Sequence, residues 1–91
     1  VTLRLTPGAE FDVSEALAWY RERGRGLGEQ FLQALDERLE SVQLNPLAYP
    51  KVHGDIRRAL LRRFPYCVFY IIGPQQIVML ACLHGHRDPK V

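Results

Sequence analysis

Ile56-Arg57-Arg58-Ala59-Leu60-Leu61-Arg62-Arg63-Phe64-Pro65-Tyr66-Cys67-Val68-Phe69-Tyr70-Ile71-Ile72, followed after Gly73-Pro74-Gln75-Gln76 by Ile77-Val78-Met79-Leu80-Ala81-Cys82-Leu83, decides the fold. Short runs rich in β-branched and aromatic residues, separated by Gly-Pro punctuation, read as strands joined by tight turns. Three antiparallel strands are predicted, over about 56–63, 66–72 and 77–83. With Ile72 opposite Ile77 across the turn, Cys67 falls opposite Cys82. The two thiols are then buried neighbours acting as small hydrophobes.

Both later strands are apolar on both faces. Tyr66, Val68, Tyr70 and Ile72 alternate with Cys67, Phe69 and Ile71, whereas a sheet covered on one side alternates apolar with polar. A second cover is therefore expected. Loops and the N-terminal strand are one candidate, a protein partner the other.

Upstream, Val1 to Thr6 alternates as a half-buried strand. Thr6-Pro7 supplies a helix N-cap and first turn, with Glu10 and Asp12 near the positive end of the helix dipole. Ala9, Val13, Ala16, Leu17 and Tyr20 share one helical face. Phe11 and Trp19 fall outside it, so they widen the stripe or sit at an interface. Gly24-Arg25-Gly26-Leu27-Gly28 turns the chain into a second helix with Leu27, Phe31, Leu35, Leu39 and Val42 on its stripe. Asn45-Pro46 ends that helix, because a residue before proline is pushed out of the helical region. Residues 47–55 read as a loop. The order β-α-α-β-β-β predicts an α+β fold, a helical hairpin packed on one face of a small antiparallel sheet.

Ninety-one residues with 47% hydrophobic and 24% charged content support one domain, 1–91, with a thin core. No apolar run approaches the ~20 residues of a membrane helix, and segment 1–6 does not read as a secretory signal. A cytoplasmic protein without membrane contact is expected. Charge divides the chain: residues 1–50 carry five Arg against eight Asp or Glu (−3), and residues 51–91 carry seven Lys or Arg against two Asp (+5). A basic half calls for an acidic partner, either nucleic acid or an acidic protein segment.

The chemistry-bearing residues cluster late. His84-Gly85-His86 matches no zinc spacing, so no metal and no cofactor are expected. Metal-independent RNA cleavage needs proton transfer plus cations on the developing phosphorane. His84 or His86 supplies the former type of group. Arg58, Arg62, Arg87 or Lys90 supplies the latter, with Tyr66 available to orient a base. A solvated basic strand and a polar turn account for the same residues without catalysis. Arg57, Arg58, Arg62, Arg63 and Arg87 form the expected cationic surface. Strand alternation places Arg58 and Arg62 on one face and Arg57 and Arg63 on the other.

Taken with the order of elements, five segments resemble the RelE/ParE toxin superfamily of bacterial type II toxin–antitoxin modules, and most of all its ParE-like plasmid-stabilisation proteins. They are Gly26-Leu27-Gly28-Glu29-Gln30-Phe31, Asn45-Pro46, Tyr49-Pro50, Arg57 to Tyr66, and Leu83-His84-Gly85-His86-Arg87-Asp88-Pro89. The resemblance implies a toxin neutralised by a cognate antitoxin through an acidic or amphipathic segment. RelE-like members cut mRNA on the ribosome; ParE-like members poison DNA gyrase. The RelE pattern has an Arg after the Tyr of the central strand, a position held here by Cys67, and a thiol cannot replace a guanidinium at a phosphate. Arg87 matches the basic residue of the last turn, and the RelE-like C-terminal Tyr has no match before Val91. The resemblance therefore implies gyrase inhibition first, with Arg57, Arg58, Arg62, Arg63, His84, His86 and Arg87 as target- or antitoxin-binding residues. Ribosome-dependent mRNA cleavage by His84, His86 and Arg87 is the alternative. A third reading is a non-toxic relative that only binds antitoxin.

Overall fold

The computed structural model describes residues 2–85. Its elements are β1 (Thr2–Leu5), α1 (Pro7–Arg23), α2 (Leu27–Leu44), a 3-10 turn (Pro46–Ala48), β2 (Lys51–His53), β3 (Ile56–Leu60), β4 (Tyr66–Ile72) and β5 (Gln76–His84). The strands form one sheet in the order β1-β5-β4-β3-β2. The predicted α+β fold is present, with two additions. Residues Lys51–His53, expected in a loop, pair antiparallel with β3 as a short bulged edge strand. β1 lies parallel to β5, so the sheet is mixed.

α1 begins as its sequence dictates. Thr6 has extended backbone, and its Oγ1 accepts the Ala9 N–H at 3.1 Å with Pro7 at the first helical position. The same hydroxyl donates to the Leu80 carbonyl at 3.3 Å, and the Thr6 N–H donates to the Met79 carbonyl at 3.0 Å. One residue therefore caps the helix and fastens it to β5.

The helical turn is tighter than its glycines suggest. Gly26, at φ 78°, takes the left-handed conformation that glycine tolerates best, and α2 starts at Leu27. Gly28 already lies within α2, where an added Cβ would stand 2.5 Å from Arg21 Cγ and 3.1 Å from Leu17 Cδ1. Its missing side chain lets the two helices approach each other.

The main core fills the space between helices and sheet with Ala16, Tyr20, Phe31, Leu35, Val42, Val68, Tyr70, Ile77 and Met79. Tyr20, Phe31, Phe64 and Tyr66 form an aromatic cluster at one end, with ring centroids 5.0–6.0 Å apart. Burial raises the Tyr20 hydroxyl pKa, with Tyr66 and Cys82 adding to the effect. Tyr70 is fully buried and donates to the Pro46 carbonyl at 2.7 Å, which pins the 3-10 turn to the core. Burial also raises its pKa, against the lowering influence of Arg57.

Cys67 does not face Cys82. Ile72 pairs with Ile77 as expected, but β5 carries one extra residue, Leu80, between the partners of Tyr70 and Phe69. Beyond that bulge Cys67 pairs with Leu83 and Val68 with Cys82. A one-residue slip moves a side chain to the other face of the sheet. Cys82 therefore joins the main core, and Cys67 joins a separate cluster with Phe69 and Ala81 on the opposite face. Both are buried, and neither is in a disulfide. Burial first, then the charges of Asp12 and Cys67, push the Cys82 pKa up to about 12.

On the second face of the sheet Cys67, Phe69 and Ala81 are buried, and Val52, Ile56 and Leu83 pack against them. β1 does not cover this face, because β1 extends the sheet edge. Of the two residues left off the α1 stripe, Phe11 is 63% and Trp19 48% exposed.

Candidate partner-binding surfaces

β3 stops at Leu60, three residues before the predicted end. Leu61 and Phe64 turn inward, 3% and 8% exposed, and the Leu61 N–H reaches the Tyr66 carbonyl at 2.9 Å. Closing so short a loop between two buried anchors puts Arg62 and Arg63 outward and holds Arg63 at φ 70°. A left-handed non-glycine residue costs about 1–2 kcal/mol, met here by the surrounding packing. Arg62 and Arg63 thus belong to a loop rather than to opposite faces of a strand. Together with Gln33, Ala34 and Glu37 of α2 they line a cavity of about 320 Å³.

The other two cations of the predicted surface that are described, Arg57 and Arg58, lie apart from this loop. Arg58 pairs across the ladder with Phe69, on the face away from the helices. Arg57 pairs with Tyr70 and donates from Nη1 to the Tyr49 carbonyl at 2.6 Å, on the helix side. Tyr49 is the hub of a small network. Its hydroxyl accepts from Arg38 Nη1 at 2.8 Å and bonds Ser41 Oγ at 2.7 Å, while Arg38 Nε donates to the Leu60 carbonyl at 2.8 Å. This gives the Tyr49-Pro50 segment a physical role: it ties α2, the end of β3 and Arg57 together.

His84 lies at the other end of the sheet. It pairs with Tyr66, and their rings meet edge-on at 5.2 Å. Both border a groove of about 310 Å³ between α1 and the ends of β4 and β5, with Asp12, Glu15, Trp19 and Leu83. Asp12 Oδ2 accepts the Cys82 N–H at 3.0 Å, beyond the point where β1 pairing ends. Among the described residues the nuclease candidates are divided: His84 is on the helix side, Arg58 on the opposite face, and Arg62 on the loop beside α2. His86, Arg87 and Lys90 lie outside the described residues. Among those described, no three His, Cys, Asp or Glu side chains gather as metal ligands.

Asp12, Glu15 and Trp19 were not singled out by the sequence as site residues. Trp19 falling outside the α1 stripe was the one available signal.

A family model described as the ParE toxin of the type II toxin–antitoxin system parDE matches residues 3–89. The chain belongs to the ParE toxin family. No functionally curated protein matches the sequence. Among solved structures, this ParE-family chain is similar to one from the chromosomal ParDE system of P. aeruginosa, with TM-score 0.82, 18% identity, and 94% of this chain and 97% of that one covered. It is also similar to the intact E. coli RelBE toxin–antitoxin complex, with TM-score 0.58, 19% identity, and coverage of 94% and 98%. The isolated E. coli RelE toxin gives TM-score 0.58 and 18% identity, covering 96% of this chain and 86% of that one. At these identities the likeness establishes the fold. Among the described residues no helix is long and apolar enough to cross a membrane.

Proposed function

We propose that this ParE-family toxin acts by inhibiting DNA gyrase and is neutralised by a cognate antitoxin. The observations that support this reading are Cys67 at the central-strand position and, among the described residues, the distance of His84 from Arg58 and Arg62. Acid–base cleavage of RNA needs proton-transfer groups and phosphate-binding cations within hydrogen-bond reach of one phosphate. His84 and Arg58 stand on opposite sides of the sheet, and the position before Val68 holds Cys67, whose buried thiol donates to the Gly85 carbonyl at 3.4 Å. Cations spread over several surfaces suit contacts with a protein target and an acidic antitoxin segment better than a single reaction centre. The ParE family model over residues 3–89 supports the same choice.

The decisive experiment is a supercoiling and DNA-cleavage assay with bacterial gyrase, purified toxin and its antitoxin. Accumulation of cleaved DNA or loss of supercoiling, reversed by antitoxin, is the expected result. Unaffected gyrase at micromolar toxin, together with cleaved mRNA on programmed ribosomes, would replace the reading with a RelE-like nuclease. Both assays silent would leave an antitoxin-binding relative without toxicity.

A further inference from the structure

The groove beside α1 has the wrong sign for the partner that the basic half of the chain invites. Asp12 and Glu15 stand three residues apart and Trp19 four further on, so all three share one side of α1. Tyr66 and His84 form the opposite wall. Among the described residues no cation pairs with either carboxylate; the ion pairs are Arg21–Glu29, Arg23–Glu22 and Lys51–Asp55. Trp19 already holds one guanidinium, since the Arg23 Cζ lies 4.2 Å from its ring centroid.

We propose that this groove binds an arginine side chain presented by a partner protein between two apolar residues. Two carboxylates attract the cation, and the aromatic walls favour a planar, weakly hydrated guanidinium over an ammonium. A polypeptide fits better than a free small molecule because exposed apolar side chains flank Glu15 along α1. Phe11 and Trp19, both well exposed, lie eight residues apart on α1, about 12 Å along the axis, with Glu15 midway. A helix carrying an apolar residue, an arginine and an apolar residue at successive spacings of four repeats that pattern in complement. The inference rests on the toxin reading only for the partner's identity, which would be the cognate antitoxin. It adds a basic contact to an antitoxin otherwise expected to be acidic.

The chain has a single Trp, so its fluorescence reports this groove directly. The probe is an alanine-based helical peptide with leucine, arginine and leucine at spacings of four; a second peptide carries neutral, isosteric citrulline for arginine. Titration of the full chain should give a saturable change in Trp19 emission with the arginine peptide and about tenfold weaker binding of the citrulline peptide. Glu15→Gln should lose a similar factor for the arginine peptide alone. Its thermal midpoint should stay unchanged, because Glu15 is exposed and has no ion-pair partner among the described residues. Equal affinity for both peptides, no binding at millimolar peptide, or an indifferent Glu15→Gln would overturn the proposal. So would an Arg87→Ala chain that binds the arginine peptide tenfold more tightly, because the occupant would then be the chain's own arginine. If the unmodified chain leaves gyrase untouched yet discriminates the two peptides, the proposed function is refuted and the groove stands.

Discussion

Replacing Tyr49 by phenylalanine removes one oxygen and keeps the ring, which isolates what the hydroxyl contributes. That oxygen accepts a hydrogen bond from the Arg38 guanidinium at 2.8 Å and bonds Ser41 Oγ at 2.7 Å. A neutral hydrogen bond contributes about 0.5–1.5 kcal/mol and a charged one about 1.5–3 kcal/mol when its partner is stranded without water. Tyr49, Arg38 and Ser41 are all partly exposed, so water replaces some of the loss and the lower ends apply. The expected destabilisation is about 2 kcal/mol. For 91 residues, an unfolding entropy of roughly 2.1 cal/mol/K per residue converts this to a fall in Tm of about 10 °C. Thermal melts followed by circular dichroism measure it, and urea titrations with an unchanged slope confirm that stability alone moved. Ser41→Ala and the double variant complete a cycle, whose coupling should be about 0.5–1 kcal/mol because both changes act on one oxygen. Arg57 should keep its place, since it is held by the Tyr49 backbone carbonyl, and the proposed gyrase inhibition should persist at temperatures where the variant is folded. A fall below about 2 °C, or strict additivity in the cycle, would show that the network does not hold α2 to the end of β3.

Alkaline destabilisation should carry the mark of Cys82. The folded thiol pKa is pushed up to about 12 from an ordinary 9.0, so between these values the unfolded chain has lost a proton that the folded chain keeps. Stability from this thiol is fully present below about pH 9 and falls by about 1.4 kcal/mol per unit as pH rises toward 12. Cys82→Ala should flatten that slope, as read by urea midpoints at pH 8 and pH 10. Parallel profiles for the two proteins would contradict the assignment. Gly28→Ala should destabilise by about 1–3 kcal/mol through the clash with Arg21 and Leu17, measured by chemical denaturation. An unchanged midpoint would mean that the helices part at no cost. At Arg63, with φ 70°, glycine should hold or slightly raise the melting temperature, whereas valine should lower it by about 5 °C or more. Equal melting of the two variants would show that the loop relaxes without strain.

Local signals carried far in this chain. Thr6-Pro7, the stripe from Leu27 to Val42 and Asn45-Pro46 mark helix ends and faces because capping and helical periodicity act within a few residues. The two apolar runs around Gly73-Pro74 declared a hairpin for the same reason. The five quoted segments, read together, also pointed to the toxin superfamily to which the ParE family belongs. What the sequence left undecided depends on contacts between distant residues. The Leu80 bulge, which sends Cys67 and Cys82 to opposite faces, lies where Thr6 and Asp12 bond β5 from 74 and 70 positions away. Arg62 and Arg63 leave the strand because Leu61 and Phe64 both find the core, which no alternation of residue types announces. The α1 groove exists only because β1 pairing ends at Met79 and α1 crosses beside the remainder of β5. Residue types and spacing were thus enough for the elements and the family. The register, the separation of the basic residues and the groove came from tertiary contacts, because each depends on which backbone groups remain unpaired after the elements have met.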